Sequence, residues 1–454
     1  MGLLKVITLA TPELGDRSYL AHDGALAVAI DPQRDIDRVL ELARSAGVRI
    51  AAVAETHLHN DYVSGGPALS DATRSPYLVA AAEQLERPSR AIADQERMQV
   101  GDMTLQALAT PGHTSHHLAW LLTQDADPGA LFSGGSLLYG AVGRTDLVSP
   151  QLTEGLAREQ HRSARRLGGL PPSLSLYPTH GFGSFCSAGG GGSEGGTLGQ
   201  ELQGNPALLE GEADFVSEIL ANYTVYPTYY REMAPLNRRG LAAPDLGLPP
   251  EMDADHLADR IAARDWVVDL RPRTEFARGH VRGTVNFPAC EQLATYIGWV
   301  IPWGLPLTLM AGGREAVLRA RRDLCRIGID RLDGWWPGPL AEVEARIGRA
   351  SYRVSDFAGL ARAKSAGEVA VLDVRRPDEW RRGHIRGAVN IHLPELPGRL
   401  GEIPENSIWV HCGSGYRAAA AASILDREGR EVVLVDDEVS RLEESGLALV
   451  PAAA

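Results

Sequence analysis

Short apolar runs, each closed by a polar turn, recur through the first part of the chain with the period of β-strands. Leu4–Leu9, Ser18–Ala21 and Ala25–Asp31 read as paired strands, separated by the turns Gly15-Asp16 and Asp23-Gly24. From Asp35 to Ala46 the spacing changes to helical, with Ile36, Val39, Leu40 and Ala43 on one face and Gly47 closing the helix. Strands are predicted again at Ile50–Ala54, Met103–Ala109, Ala130–Gly135 and from Leu174 onward. Phe215, Ile219 and Leu220 mark one face of a helix over Glu210–Asn222. A stretch rich in Pro and Gly from Ala234 to Asp253 reads as a linker. This is an α/β chain whose polar chemistry collects where strands end.

The loop after Ile50–Ala54 reads Glu55-Thr-His57-Leu-His59-Asn-Asp61-Tyr62 and puts two imidazoles and a carboxylate within five residues. Such a loop can converge on one cation, with Asp61 behind it or on a second site. Thr110-Pro-Gly-His113-Thr brings a third imidazole to another strand end, and Pro-Thr-His180-Gly a further one. His57, His59 and His113 are the candidate ligands of a three-imidazole face for Fe(II) or Zn(II), one metal per chain. Ser187–Gly196 is too glycine-rich for regular structure and reads as a loop or lid opened by Cys186, a thiol able to carry substrate sulfur or to pack as a small buried residue.

Composition narrows the partners. The 454 residues suffice for about three domains, and the net charge of -13 argues against nucleic acid although nearly all 45 basic residues are Arg. Four scattered cysteines make no disulfide framework, and no apolar run is long enough for a membrane span. The expectation is a cytoplasmic protein acting on small molecules; a homo-oligomer is compatible with all of this.

On these motifs the first half resembles the metallo-β-lactamase superfamily, which implies an αββα sandwich over 1–235. Gly15–Tyr19, Gly143-Arg144-Thr-Asp146 and His180-Gly-x-Gly-Ser-x-Cys186 resemble its persulfide dioxygenase branch, related to glyoxalase II. The resemblance implies one Fe(II) held by His57, His113 and an Asp, with open positions for O2 and a persulfide. It places Asp61, Tyr62, His180, Cys186 and Arg144 around the metal or its substrate. Two positions depart from the pattern: Gly135 stands where the branch has its Asp ligand, and Tyr62 where the superfamily has another histidine.

The second half contains a repeat. Asp269–Asn286 matches Asp373–Asn390 with a constant offset of 373 - 269 = 104, and each copy carries Gly-His-(Val/Ile)-Arg-Gly. The second copy continues into Cys412-Gly413-Ser414-Gly415-Tyr416-Arg417 between an apolar strand and an Ala-rich helix. There, backbone N–H groups and a helix N-terminus stabilise a thiolate that can attack a sulfur donor and hold the transferred atom, while Arg417 binds the anionic part of donor or acceptor. A cysteine phosphatase loop is similar but usually one residue longer. The pattern resembles the rhodanese family, which implies two domains with parallel sheets. The first copy has Met310-Ala311-Gly312-Gly313 at the loop position and no cysteine, so 253–348 is expected to be an inactive copy and 349–454 the live one, after a linker over 236–252. Cys290 and Cys325 read as structural. Together the resemblances imply a low-molecular-weight persulfide oxidised by O2 to sulfite, and sulfane sulfur moved through Cys412, giving thiosulfate. The alternatives are a glyoxalase II-like thioester hydrolase and a degenerate metal domain serving as scaffold for one sulfurtransferase.

Overall fold

The computed structural model describes residues 4–450 except 126–127, 189–194, 368, 406 and 448. The middle of the expected glycine-rich lid therefore lies outside the described residues. The chain forms two compact units, Met1–Asp245 and, apart from Cys325–Gly328, the chain from Leu246 onward.

The first unit contains two six-stranded sheets. Lys5–Thr11, Asp16–His22, Leu26–Ile30, Arg49–Ala54, Tyr77–Ala80 and Arg90–Ile92 lie side by side in chain order. The other sheet runs in reverse order, from Gly196–Thr197 through Ser175–Pro178, Ala130–Gly134, Leu118–Thr123 and Met103–Ala109 to Arg97–Val100. Side chains alternate across a strand, so Val28, Ile30, Ala52 and Ala54 face Met103, Leu105, Trp120 and Phe132 in the core between the sheets. Ala27, Ala29 and Val53 point the other way, onto Ile36, Val39, Ala43 and Leu69. The outer face of the second sheet is covered likewise by Ala157, Ala164, Leu167 and Phe215. The layers are helix, sheet, sheet, helix: the αββα sandwich expected. The expected helix after Asp35 spans Asp37–Ala46, and Gly47, at φ 68°, turns its N–H back to Ala43 and Arg44.

One boundary differs from the sequence reading. A helix at Tyr230–Arg239 runs through the start of the expected linker, with Pro235 inside it. Proline there removes one helical hydrogen bond. Burial of Met233, Leu236 and Asn237 on one face holds the turn together regardless.

The second unit holds two parallel sheets. Val285–Asn286, Trp266–Asp269, Leu307–Met310 and Leu332–Trp336 form one. Arg353–Ser355, Val432–Val435, Ile408–His411, Ala370–Asp373 and Val389–Asn390 form the other. The repeat read in the sequence is also a repeat of contacts. Asp269 accepts from Arg271 as Asp373 does from Arg375, and each arginine donates onward to a glycine carbonyl, Gly279 or Gly383. Phe276 stacks on His280 at 3.8 Å and Trp380 on His384 at 3.5 Å. These shared residues brace the chain in both copies, as expected of scaffold. No helix among the described residues is long and apolar enough to cross a membrane.

Candidate functional site

The loop that follows Arg49–Ala54 is buried throughout from Glu55 to Tyr62. His57, His59, His113 and His180 converge around one point: the rings of His57 lie 4.1 Å from His59, 4.8 Å from His113 and 5.3 Å from His180. Each imidazole is aimed by its other nitrogen. His57 Nδ1 meets Thr56 Oγ1 at 2.9 Å, and His113 Nδ1 donates to the Arg144 carbonyl at 2.7 Å. His59 Nε2 sits 3.1 Å from Glu55 and 3.3 Å from Asp31, while His180 Nδ1 lies 2.8 Å from Asp16 and 3.1 Å from Asp61.

What these anchors leave over defines the centre. His59 Nδ1, His113 Nε2 and Asp61 Oδ1 are buried without a hydrogen-bond partner, and His57 Nε2 faces His180 Nε2 at 3.3 Å. Buried polar atoms without partners are costly, and several aimed at one point are what a bound cation satisfies. Burial, and then the neighbouring imidazoles, push His57 well down and His113 to about 3, so both offer lone pairs at neutral pH. Burial also depresses His59, but Asp31 and Glu55 outweigh it and lift the ring to about 9. The donor set therefore fits a divalent metal ion held by imidazoles, with carboxylates behind them. Among the described residues three ligand groupings lie within reach of a single ion: His57 with His113 and His180, His59 with Asp61 and His180, and Asp31 with Glu55 and His59; the expected trio of His57, His59 and His113 is not one of them, since His59 is turned toward the carboxylates.

Both departures from the expected motif have a steric meaning. A Cβ at Gly135 would stand 2.3 Å from the His113 ring, so that imidazole fills the space a carboxylate side chain at 135 would need. Tyr62 is fully buried and stacks on His59 at 4.2 Å, with its hydroxyl directed at the Asp31 carbonyl. It braces a candidate ligand instead of supplying one.

Arg144 and Cys186 lie close by but are engaged differently. Arg144 forms a double hydrogen bond with Asp146 at 2.6 and 2.7 Å and also donates to the carbonyls of Phe185 and Thr224. Its charge is spent on holding this wall together. Cys186 is fully buried, and burial followed by Asp61 and Asp16 pushes its thiol well above the usual range. At neutral pH it is a packed thiol.

Four residues of this centre were not picked out from the sequence. Asp31 and Glu55 orient His59, and each ends an apolar strand, the same signal that marked the histidine loops. His117 lies next to His57, but its nitrogens are taken by the Gly135 N–H and by the Thr110 and Ser136 hydroxyls, so it is a brace. Asn237, on the helix that overran the expected boundary, accepts from Ser64 N and donates to the His59 and Tyr62 carbonyls, gripping the metal loop by its backbone.

In the second unit, Cys412 ends the strand Ile408–His411, and Gly415, at φ 91°, turns the chain into the helix Tyr416–Arg427. The Gly415 N–H donates to Cys412 Sγ at 3.2 Å. A side chain at 415 would strike Asp436 Oδ1 at 2.1 Å, so both backbone angle and space require glycine there. Arg417 is bound twice by Glu379, at 2.5 and 2.9 Å. In the first copy Met310 is buried at the matching strand end, and only Ala311–Gly313 separate it from the helix Arg314–Arg326. The shorter turn has no thiol.

The Arg417–Glu379 pair sets an acid limit. Burial pushes the Glu379 carboxyl up, but the hydrogen bonds and charge of Arg417 more than reverse this and hold it at about 2. A depressed folded value means the pair's contribution is complete above the ordinary value of 4.5 and lost as pH falls from there toward 2. Unfolding followed by Trp fluorescence is expected to show that loss across this window, and Glu379→Gln to flatten it. An unchanged acid profile in the variant would locate the effect elsewhere.

Fold and site together suggest a metal-dependent enzyme fold followed by a sulfurtransferase-type domain. The model of the metallo-beta-lactamase superfamily matches residues 17–180, and that of the rhodanese-like domain matches 357–443. The chain thus carries a metallo-β-lactamase fold followed by a rhodanese domain. It is 33% identical over 156 residues to a hydroxyacylglutathione hydrolase-like protein of Homo sapiens, covering 34% of this chain and 51% of that one. With the hydroxyacylglutathione hydrolase of Pseudomonas entomophila (strain L48) it shares 32% over 174 residues, 38% of this chain and 64% of the relative. The chain therefore spans between about half and two thirds of the length of these curated relatives. A crystal structure of a metallo-beta-lactamase from Staphylococcus aureus subsp. aureus COL aligns with a TM-score of 0.66 at 27% identity, over 74% of this chain and 99% of that one.

Proposed function

We propose that the chain is a persulfide dioxygenase fused to a rhodanese. In this reading a low-molecular-weight persulfide, O2 and water give the thiol and sulfite in the first unit, and Cys412 carries sulfane sulfur in the second, yielding thiosulfate. The observation that supports it is a grouping of three imidazoles, His57, His113 and His180, within reach of one ion, on the same chain as a cysteine loop whose thiol receives the Gly415 N–H. A ferrous ion held by His57, His113 and His180, with His59 beside them, would supply the redox chemistry through which O2 reacts with a persulfide. The chain's own part is positional: Glu55 and Asp31 set the His59 ring, Asp16 and Asp61 set His180, and Asn237 fixes the loop. Residues 253–348 are read as a rhodanese-like copy whose loop lacks a cysteine, on the contacts they repeat.

A second reading is thioester hydrolysis by a metal-activated water, favoured by the names of the curated relatives. O2 uptake on a persulfide, set against hydrolysis of an acyl-thiol without O2 uptake, separates the two in metal-loaded protein.

A further inference from the structure

One hydrogen-bonding group beside the Cys412 loop, His392 Nε2, is buried without a partner among the described residues, and a tyrosine from the copy whose loop lacks a cysteine lies close to the same loop. The helix Leu293–Val300 of that copy places the Tyr296 ring 5.5 Å from Tyr416 and the Trp299 ring edge-on to His392 at 4.8 Å. Tyr416 belongs to the Cys412–Arg417 loop, so this ring contact sets Tyr296 beside it. His392 is 3% exposed, and its Nε2 has no partner. Burial, and then Arg417 and Arg376, push this imidazole down to about 4, so it is neutral at pH 7 and as the Nε2–H tautomer carries a free donor.

The arginines of the pocket are already matched by carboxylates. Arg417 is held by Glu379, and Arg376 lies 3.1 Å from Asp378 and 3.4 Å from Glu379. An anion approaching Cys412 meets balanced charge, so directed neutral donors become the means of seating it.

We propose that Tyr296, from the copy whose loop lacks a cysteine, and His392 seat the oxygen atoms of a small oxyanion acceptor, sulfite, at the Cys412 persulfide. This rests on the reading of Cys412 as the sulfur carrier and assigns the copy without a loop cysteine a part in its site. The lone pair on sulfite sulfur forms a bond to the outer sulfur of the persulfide. The bond from that sulfur to Cys412 Sγ breaks, its electron pair leaves with Cys412 as thiolate, and thiosulfate departs. No external oxidant or reductant takes part.

The test is a two-step reaction of the full chain. Cys412 is loaded from a persulfide donor and the added sulfur read by intact mass; the loaded protein is then mixed with sulfite or, in parallel, with cyanide, which has no oxygen to seat. Tyr296→Phe and His392→Gln are each expected to raise KM for sulfite about tenfold, as loss of a hydrogen bond to a charged group does, and to lower the sulfite-to-cyanide ratio of kcat/KM by a similar factor. Tyr296→Phe removes one oxygen and keeps the packing, so it separates the donor from the fold. Equal losses with both acceptors, or an unchanged sulfite KM in both variants, would overturn the proposal. Wild-type protein that takes up no sulfur at Cys412 would instead overturn the carrier reading itself.

Discussion

Cys412→Ser is expected to abolish sulfur transfer, a fall of at least about 1,000-fold, while metal content and O2 uptake on a persulfide stay at the wild-type level. The thiol is 1% exposed, at the head of a helix, and receives the Gly415 N–H. Serine fits this space and keeps the turn, but its oxygen does not form the persulfide on which transfer depends. Cyanide-dependent sulfur transfer, measured beside O2 uptake on one preparation, checks the prediction. Transfer that persisted would mean that another group, and not this loop, carries sulfur.

The second large effect is expected at the other centre. His113→Ala removes an imidazole whose Nδ1 is fixed on the Arg144 carbonyl and whose Nε2 points without a partner into the donor cluster. Metal affinity and O2 uptake should each fall by about 100-fold or more, with sulfur transfer through Cys412 unaffected. Metal analysis of protein purified without oxygen reads the first effect, and an oxygen electrode the second. A variant that kept its metal would assign the ion to the grouping of His59, Asp61 and His180.

Much of this arrangement was legible in the chain because strand ends are local features. Met103–Ala109 appears with the bounds its alternation predicts, and the loops after the strands bring His57 and His113 into one grouping, while His59 falls in another. The offset of 104 residues between the two copies reappears as matched Asp–Arg pairs and matched aromatic–histidine stacks. His180 was placed only at the periphery, whereas it comes to 3.3 Å from His57. That contact spans 123 residues and depends on the second sheet running in reverse order, which no local pattern encodes. Asn237 was hidden for another reason. Pro235 marks the end of a helix on local rules, and burial of Met233 and Leu236 overrides it, carrying the helix on to the residue that holds the metal loop. The meaning of Gly135 depends on packing as well: sequence shows that a carboxylate is absent, and the structure shows the His113 ring filling its space.

In the proposed function one imidazole-bound ion in the first unit oxidises a persulfide. The most direct test is O2 consumption by protein loaded with Fe(II), given a low-molecular-weight persulfide, with sulfite and thiosulfate measured at the end. About one O2 is expected to be consumed for each sulfur oxidised, with iron near one per chain. Iron-loaded protein that consumes no O2 on a persulfide, yet hydrolyses an acyl-thiol, would contradict that function.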